Sequence, residues 1–419
     1  MSDRVFLHVG LPKAGTTYVQ QMLTANEERL KKHAGVFQPG AEWSERVAAV
    51  RDVRGMKSPR GKLPGTRGSW DRMVAQMAAW PRTSIFSMEW LCVAEPEIIQ
   101  KIVGDVGPSQ AEVVFTVRDL GRTVPASWQE FVKNRGELTW TEYVEEVAAD
   151  DSLSTDIGRP FWNRQDIGTL IGNWAAAVPI ERIHVVTLPQ SGAPSDILWQ
   201  RMCQVLGIES AGYAKDMSGT SNASLGVEPS ELMRRLNPLA REAGIEHLLY
   251  HQFFKQLMAK RVLSGIEGRQ SRLALPPAYH DWASEVSMQR IEAIKQAGVH
   301  VVGDLDELRP VFTAETGTQP EEVSDAVLLA AGLETLVGLA RPWDAEHRAA
   351  LKLEKRNAAL TARLARSKNK VERLQGRIER LQGRVTRLQG RVRAFEDRPW
   401  RAAALQHLSP IRNRLRRRR

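Results

Sequence analysis

The chain has 419 residues, 42% of them hydrophobic, a formal net charge of +10 and two cysteines. This length can bury a large core and suggests roughly two or three folded units. Cys92 and Cys203 form neither a disulfide framework nor a zinc pattern, and they fit a reducing compartment. Residues 351–419 carry 22 Lys and Arg against five Asp and Glu, a net +17, so residues 1–350 carry −7. This mildly acidic N-terminal part excludes a general nucleic-acid-binding surface there.

No charged N-terminal region is followed by an apolar stretch long enough for a secretory signal. The most apolar later segment, residues 326–340, contains Glu334 and is shorter than a membrane span. These features predict a soluble, cytoplasmic protein, with peripheral association at the inner face of a membrane as a further expectation.

The first predicted element is an apolar strand at 4–9, which runs into a turn rich in Gly and Thr and then a helix. In such a turn the backbone N–H groups converge on an anion, and the positive end of the helix dipole favours its charge. Gly10 and Gly15 have the Walker spacing, but Lys13 precedes Gly15 by two residues instead of following it. We predict a phosphate-binding loop in which Lys13 contacts the bridging oxygen of a leaving group. An ordinary turn with a helix-capping Thr is the alternative.

A base is predicted at the end of the second strand, 83–87. Glu89 follows that strand, and the carboxyl ends of strands are where parallel α/β proteins carry out chemistry. A helix-capping or salt-bridged Glu is the alternative. His8 lies inside the first strand, where we expect a packed core histidine and not a base.

The third strand, 112–117, ends at Arg118, and a predicted helix carries Ser127 nine residues later. Arg118 and Ser127 are the candidate site residues in this segment. A surface ion pair of Arg118 with Asp119 or Glu130 is the alternative, and Ser127 is nearly as well explained as a plain helix serine.

Residues 12–17 have the form Pro-Lys-x-Gly-Thr-Thr. This form resembles the sulfate-side loop of the sulfotransferases that use 3′-phosphoadenosine 5′-phosphosulfate (PAPS). The resemblance implies that Lys13 acts in catalysis at the oxygen that links phosphate to sulfate. It also implies a set of residues that bind the 5′-phosphosulfate: Pro12, Lys13, Ala14, Gly15, Thr16 and Thr17.

The same resemblance assigns roles to the residues after the second and third strands. An Arg after a strand and a Ser about two helical turns later grip the 3′-phosphate in this family, which implies Arg118 and Ser127 here. Ser127 lies one residue beyond the usual spacing, and one residue turns a helical side chain by about 100°. Residues 87–91, Ser-x-Glu-Trp-Leu, resemble the branch that acts on carbohydrate amines and hydroxyls, which implies that Glu89 deprotonates the acceptor.

Strands predicted at 4–9, 83–87, 112–117, 183–188 and 299–303 alternate with helical stretches. This alternation predicts an α/β fold with a mostly parallel central sheet and helices on both faces. It is also the P-loop-like architecture of the sulfotransferases, and a weaker resemblance to their bacterial relatives covers about residues 1–310. In that family a late loop often closes over the nucleotide, for which residues 221–224 are the candidate here.

After residue 343, apolar residues follow steps of three and four, which predicts a coiled-coil helix. Three near-identical Arg-Leu-Gln-Gly-Arg heptads favour a parallel homodimer, although their glycines each cost about 1 kcal/mol against Ala. An anionic membrane surface or polyanion would relieve the repulsion between the arginines; a solvated oligomerisation stalk is the alternative. The predicted domains are a sulfotransferase-like α/β domain at 1–318, a helical connector at 319–345, a coiled coil at 346–397 and an arginine-rich tail at 398–419.

Together these features predict an enzyme that transfers a sulfuryl group from PAPS to a hydroxyl or amine, without a metal ion. The acceptor is expected to be a carbohydrate, a glycolipid or a small metabolite. One alternative is a P-loop kinase, which the position of Lys13 disfavours. Another is an inactive nucleotide-fold scaffold whose basic coiled coil binds membrane, polyanion or nucleic acid.

Overall fold

The computed structural model describes residues 2–58, 61–62, 66–214, 225–265, 271–312 and 318–396. All five predicted strands are present, with bounds that differ from the prediction by one residue at most at each end. The strands are β1 Arg4–His8, β2 Val36–Phe37, β3 Lys57–Ser58, β4 Gly61–Lys62, β5 Thr83–Ser87, β6 Ala111–Val117, β7 Ile183–Thr187 and β8 His300–Val302.

Six of these strands form one sheet in the order β2-β5-β1-β6-β7-β8, and every neighbouring pair is parallel. β3 and β4 form a separate antiparallel pair. The first strand lies between β5 and β6, so the chain builds one half of the sheet on one side of β1 and then crosses to the other side. The carboxyl end of β1 is therefore a topological switch point, where open α/β sheets bind ligands.

Helices connect the strands. The α-helices are α1 Thr16–Ala25, α2 Glu27–Arg29, α3 Trp43–Val53, α4 Ser69–Ala79, α5 Pro96–Val106, α6 Leu120–Lys133, α7 Trp140–Ala148, α8 Gly158–Gln165, α9 Ile167–Ala175, α10 Ile197–Leu206, α11 Val227–Glu242, α12 His247–Tyr250, α13 His280–Ala297 and α14 Asp325–Glu396. Two π-helices span Leu30–Ala34 and His251–Val262. Short 3₁₀-helices include Glu89–Leu91 after β5.

Both faces of the sheet are covered, as predicted. Successive strand residues point to opposite faces, and Phe6 packs in a cluster with residues of α1 and α10. Leu7 belongs to the opposite cluster, which includes residues of α3, α4, α5, α9 and α13. Both side chains are fully buried. A third cluster joins α6, α7 and α11 to the π-helix His251–Val262.

The chain divides into two compact units between Leu339 and Ala340. The long helix α14 begins inside the predicted connector and runs without a break through the predicted coiled coil. Its seam residues are about half-exposed in the single chain, for example Ile378 at 54% and Leu388 at 49%. By length and composition alone, α14 is also the one helix in the described part of the chain that is long and apolar enough to cross a membrane. The predicted tail at 398–419 lies outside the described residues.

Candidate functional site

The loop between β1 and α1, residues 10–17, has the backbone of an anion-binding turn; we call it the anion loop. Gly10, Lys13 and Gly15 have φ values of 41°, 67° and 82°. A Cβ on Gly10 would lie 2.4 Å from a methyl carbon of Thr16, and one on Gly15 would lie 2.5 Å from Leu198. Lys13 holds a positive φ without being glycine, a conformation that persists where the surrounding structure enforces it.

Four backbone donors of the anion loop are free to bind a ligand, whereas those of Gly10, Leu11 and Ala14 donate to carbonyl groups of the protein. Within the described part of the chain, the backbone N–H groups of Lys13, Gly15, Thr16 and Thr17 donate to no protein acceptor. The carbonyl groups are held instead: Gln165 Nε2 donates to Pro12 O at 2.9 Å and Arg118 Nη1 donates to Lys13 O at 3.3 Å. The unpaired donors at the start of α1 therefore converge on a position suited to an oxyanion.

Arginines lie at the carboxyl end of β6, beside the anion loop. The guanidinium cluster comprises Arg118, Arg122 and Arg290, and each has at least one buried N–H nitrogen without a partner among the described residues. Asp119 forms an ion pair with Arg122, whereas Arg118 pairs with neither Asp119 nor Glu130. Burial, with help from Arg122, lowers the pKa of Arg118 to about 10. Unpaired buried guanidinium donors are costly without an anion, so this cluster is suited to a phosphate.

Sequence analysis did not find Arg290, which α13 supplies. Its side chain is 5% exposed, and its Nη1 donates to Arg118 O at 3.1 Å. Burial lowers the pKa of Arg290 to about 10. In the sequence it is one Arg on an amphipathic helix, and no motif marks it as buried.

The role of Ser127 at the 3′-phosphate stays a prediction. It is half-buried on α6 and makes no side-chain hydrogen bond within the described residues. Ala126 occupies the position one residue closer to Arg118, where the spacing would fit the 3′-phosphate motif.

Glu89 begins the 3₁₀-helix that follows β5. Its Oε2 accepts a hydrogen bond from Nε2 of the buried Gln20 on α1 at 3.0 Å. Since β5 and β6 pair with opposite edges of β1, Glu89 and Arg118 end strands on opposite sides of the anion loop. Sequence analysis missed Gln20, which fixes the carboxylate to the helix that begins at the loop.

Lys13 forms an ion pair with Glu130 of α6, at 2.8 Å from Nζ to Oε2. Lys133 and Lys255 contact the same carboxylate at 3.1 and 2.8 Å. Burial opposes ionisation of Glu130, but these lysines outweigh it and hold the pKa of Glu130 well below its usual range. Glu130 was considered as a partner of Arg118; the structure pairs it with lysines instead.

His8 is a packed core residue, as predicted. It is fully buried, its Nδ1 lies 2.7 Å from Ser87 Oγ, and burial lowers its pKa to about 4. The candidate loop at 221–224 lies outside the described residues. Among the residues that the structure describes, no group of three or more His, Cys, Asp or Glu side chains could hold a metal ion.

No protein-family model and no curated protein matches this sequence. Among solved structures it is similar to a sulfotransferase from Alicyclobacillus acidocaldarius, at 15% identity and a TM-score of 0.33, over 58% of this chain and 96% of that one. It is also similar to the sulfotransferase domain from the curacin biosynthetic pathway, at 14% identity and a TM-score of 0.30, over 50% of this chain and 75% of that one. A likeness of this size leaves the activity to be inferred from the residues of the chain itself.

Proposed function

We propose that this protein transfers a sulfuryl group from PAPS to a hydroxyl or amine of an acceptor. The observation that carries the proposal is the anion loop, whose free N–H groups lie between unpaired guanidinium groups on one side and Glu89 on the other. A donor with phosphate groups at both its 3′ and 5′ positions needs two separate anion sites. The sequence form of residues 12–17 and its resemblance to the sulfate-side loop support the choice of PAPS over a nucleoside triphosphate.

The residues fit the donor at both ends. The N–H groups of the anion loop and the hydroxyls of Thr16 and Thr17 would hold the 5′-phosphosulfate. The guanidinium cluster, with its unpaired donors, would hold the 3′-phosphate. Lys13 would exchange Glu130 for the bridging oxygen and stabilise the charge that grows there as the leaving group departs.

Glu89 would act as the general base. In an in-line transfer the acceptor oxygen or nitrogen forms a bond to sulfur, and the bond from sulfur to the bridging oxygen breaks. The electron pair of that bond stays on the bridging oxygen, which becomes part of adenosine 3′,5′-bisphosphate. The acceptor proton passes to the Glu89 carboxylate, which Gln20 orients through its hydrogen bond.

The donor site can be tested by calorimetric titration of the full chain with adenosine 3′,5′-bisphosphate and with ATP. We expect tighter binding of the bisphosphate, and a loss of about tenfold or more in Lys13→Ala, because that change removes a charge from the anion loop. Lys352→Ala, an exposed lysine on α14, is the matched control. Preference for ATP would replace this proposal with a kinase activity, and binding of neither ligand would reject both.

Glu89→Gln tests the second role separately. Loss of a general base costs about 10²- to 10⁴-fold in turnover, so sulfuryl transfer should fall by that factor while bisphosphate affinity stays within about twofold. Glu95→Gln, which changes an exposed carboxylate nearby, should alter neither quantity. Equal loss of bisphosphate affinity and turnover in Glu89→Gln would remove Glu89 from the role of base.

We also propose that α14 forms a parallel homodimer in the cytoplasm and that the arginine-rich tail binds an anionic surface. The half-exposed apolar seam of α14 supports the first part. Sedimentation equilibrium of the full chain should give a dimer, and Leu381→Asp with Leu388→Asp should give a monomer. Flotation with vesicles that contain anionic lipid, against neutral vesicles, tests the second part.

A further inference from the structure

Next to the anion loop, three ammonium groups contact one carboxylate within the described residues, and a fourth lysine interacts electrostatically with the same group. Lys13, Lys133 and Lys255 each contact Glu130, at 2.8, 3.1 and 2.8 Å. Lys260 is exposed overall, but partial burial and the charges of Lys255 and Lys13 lower its pKa, against the opposing charge of Glu130. We call these four lysines the lysine cluster. The four positive charges of the lysine cluster exceed the single negative charge of Glu130.

This excess is unfavourable in the protein alone. Like charges held around one carboxylate repel each other, and this repulsion is stronger at a protein surface than in bulk water. Burial and the neighbouring lysines lower the pKa of Lys133 to about 8, although Glu130 raises it. The strain is consistent with a place where an additional anion binds.

The backbone brings two of these lysines to one side. Lys255 and Lys260 belong to the π-helix His251–Val262, whose hydrogen bonds join each residue to the fifth along the chain. Residues five apart therefore lie on the same side of the helix, as residues four apart do in an α-helix. In an α-helix they would point about 140° apart. π-Helical turns are rare and occur often at functional sites, and this one carries both lysines, of which Lys255 contacts Glu130.

The donor does not account for the whole lysine cluster. Under the proposed function, Lys13 turns to the bridging oxygen and the anion loop supplies N–H groups to the phosphosulfate. Lys133, Lys255 and Lys260 come from α6 and the π-helix, and they stay around Glu130. Lys255 is held there by a second bond, from Nζ to Asn134 Oδ1 at 2.7 Å.

We propose that Lys133, Lys255 and Lys260 form an acceptor subsite that binds a carboxylate or phosphate ester carried by the acceptor itself. This inference rests on the proposed function and narrows its acceptor to an acidic one. Since Lys13 and Lys133 contact the same oxygen of Glu130, the subsite adjoins the reacting sulfate. The acidic group and the nucleophilic hydroxyl of the acceptor therefore belong to the same small unit, such as one sugar ring or one glycerol.

Ligand-observed NMR titrations of the full chain, saturated with adenosine 3′,5′-bisphosphate, test this inference. The acidic probes are methyl β-D-glucuronide and glycerol 3-phosphate, and their neutral counterparts are methyl β-D-glucoside and glycerol. We expect at least one acidic probe to bind about tenfold more tightly than its counterpart, because several ammonium groups face it. The two pairs distinguish a carboxylate from a phosphate ester as the recognised group.

The preference should disappear in Lys255→Gln/Lys260→Gln and persist in Lys352→Gln/Lys355→Gln, which removes the same charge from an exposed part of α14. If the first double variant does not fold, the exposed Lys260→Gln alone should still weaken the preference. Equal binding of acidic and neutral probes, or a preference unchanged by these variants, would overturn the inference. Bisphosphate binding by the unchanged protein reports separately on the donor site, so its absence would count against the proposed function.

Discussion

The guanidinium cluster and the lysine cluster both adjoin Lys13 of the anion loop, but their positive charges are partnered differently. Arg118 and Arg290 keep buried N–H groups without any carboxylate partner in the described residues. Lys13, Lys133 and Lys255 instead share Glu130. Under the proposed function, the arginines already have unpaired donors for an anion, whereas the lysines would exchange an internal partner for one. The guanidinium cluster can set the affinity for the donor, and the lysine cluster can change its contacts when a ligand binds.

Arg118→Met should give the largest effect on binding. Removing one side of a buried charge pair costs about 2–5 kcal/mol, so bisphosphate affinity should fall by about 100-fold in calorimetric titration. The free energy of unfolding should change by less than about 1 kcal/mol, because no carboxylate partner is left unpaired. An affinity within threefold of that of the unchanged protein would show that the 3′-phosphate does not bind at Arg118.

Arg290→Met sharpens the same test. Arg290 reaches the site from α13 and holds Arg118 through its carbonyl. We expect about a tenfold loss of affinity, since a buried donor group is removed, with stability retained. A loss of stability without a loss of affinity would make Arg290 a structural residue only.

These arginines also show what the sequence could reveal. The five main strands and the anion loop were predictable, because buried strands are β-branched and apolar and the loop is a short continuous motif. Arg118 could be found because it follows a strand directly. Arg290 and Gln20 could not, since each lies on a helix whose side chains meet the site only after the chain folds.

The lysine cluster was hidden for a further reason. Lys255 and Lys260 are five residues apart, a spacing that places them on different faces of an α-helix. Only the π-helical backbone aligns them, and no local sequence signal for that backbone was recognised. The two-residue edge strand β2 was likewise too short to show an alternating pattern.

Glu130→Gln should lower the free energy of unfolding, in contrast to Arg118→Met in the guanidinium cluster. It leaves three lysines without a charged partner, and breaking a buried ion pair costs about 3–5 kcal/mol. Because the Glu130 side chain is 30% exposed, we expect a loss of about 1–3 kcal/mol in urea unfolding at pH 7. Bisphosphate affinity should rise, since Lys13 no longer has an internal partner.

The effect of pH on this variant has a definite sign. The pKa of Glu130 is lower in the folded protein than in the unfolded chain. Its stabilisation is therefore complete above the unfolded value of about 4.3 and is lost as pH falls below it. The stability difference between the unchanged protein and Glu130→Gln should shrink from pH 7 towards pH 3, and a difference that grows would contradict the pairing.

The smallest expected effect is a pH dependence of anion binding at the lysine cluster. Burial, together with Lys13 and Lys260, lowers the pKa of Lys133 to about 8, whereas that of Arg118 is about 10. Between pH 7 and 9 Lys133 loses its proton while the arginines keep theirs, so the affinity for an anion should be full at pH 7 and below and should decline as the pH rises through 8. Titration with the acidic probe that binds to the lysine cluster should show about a two- to fivefold loss, as expected when one nearby charge disappears at a partly exposed site. Lys133→Arg keeps a positive charge throughout this range and should remove most of the decline. An equal decline in Lys133→Arg would show that another group is responsible. Lys260 would be the next candidate, because its pKa is also lowered.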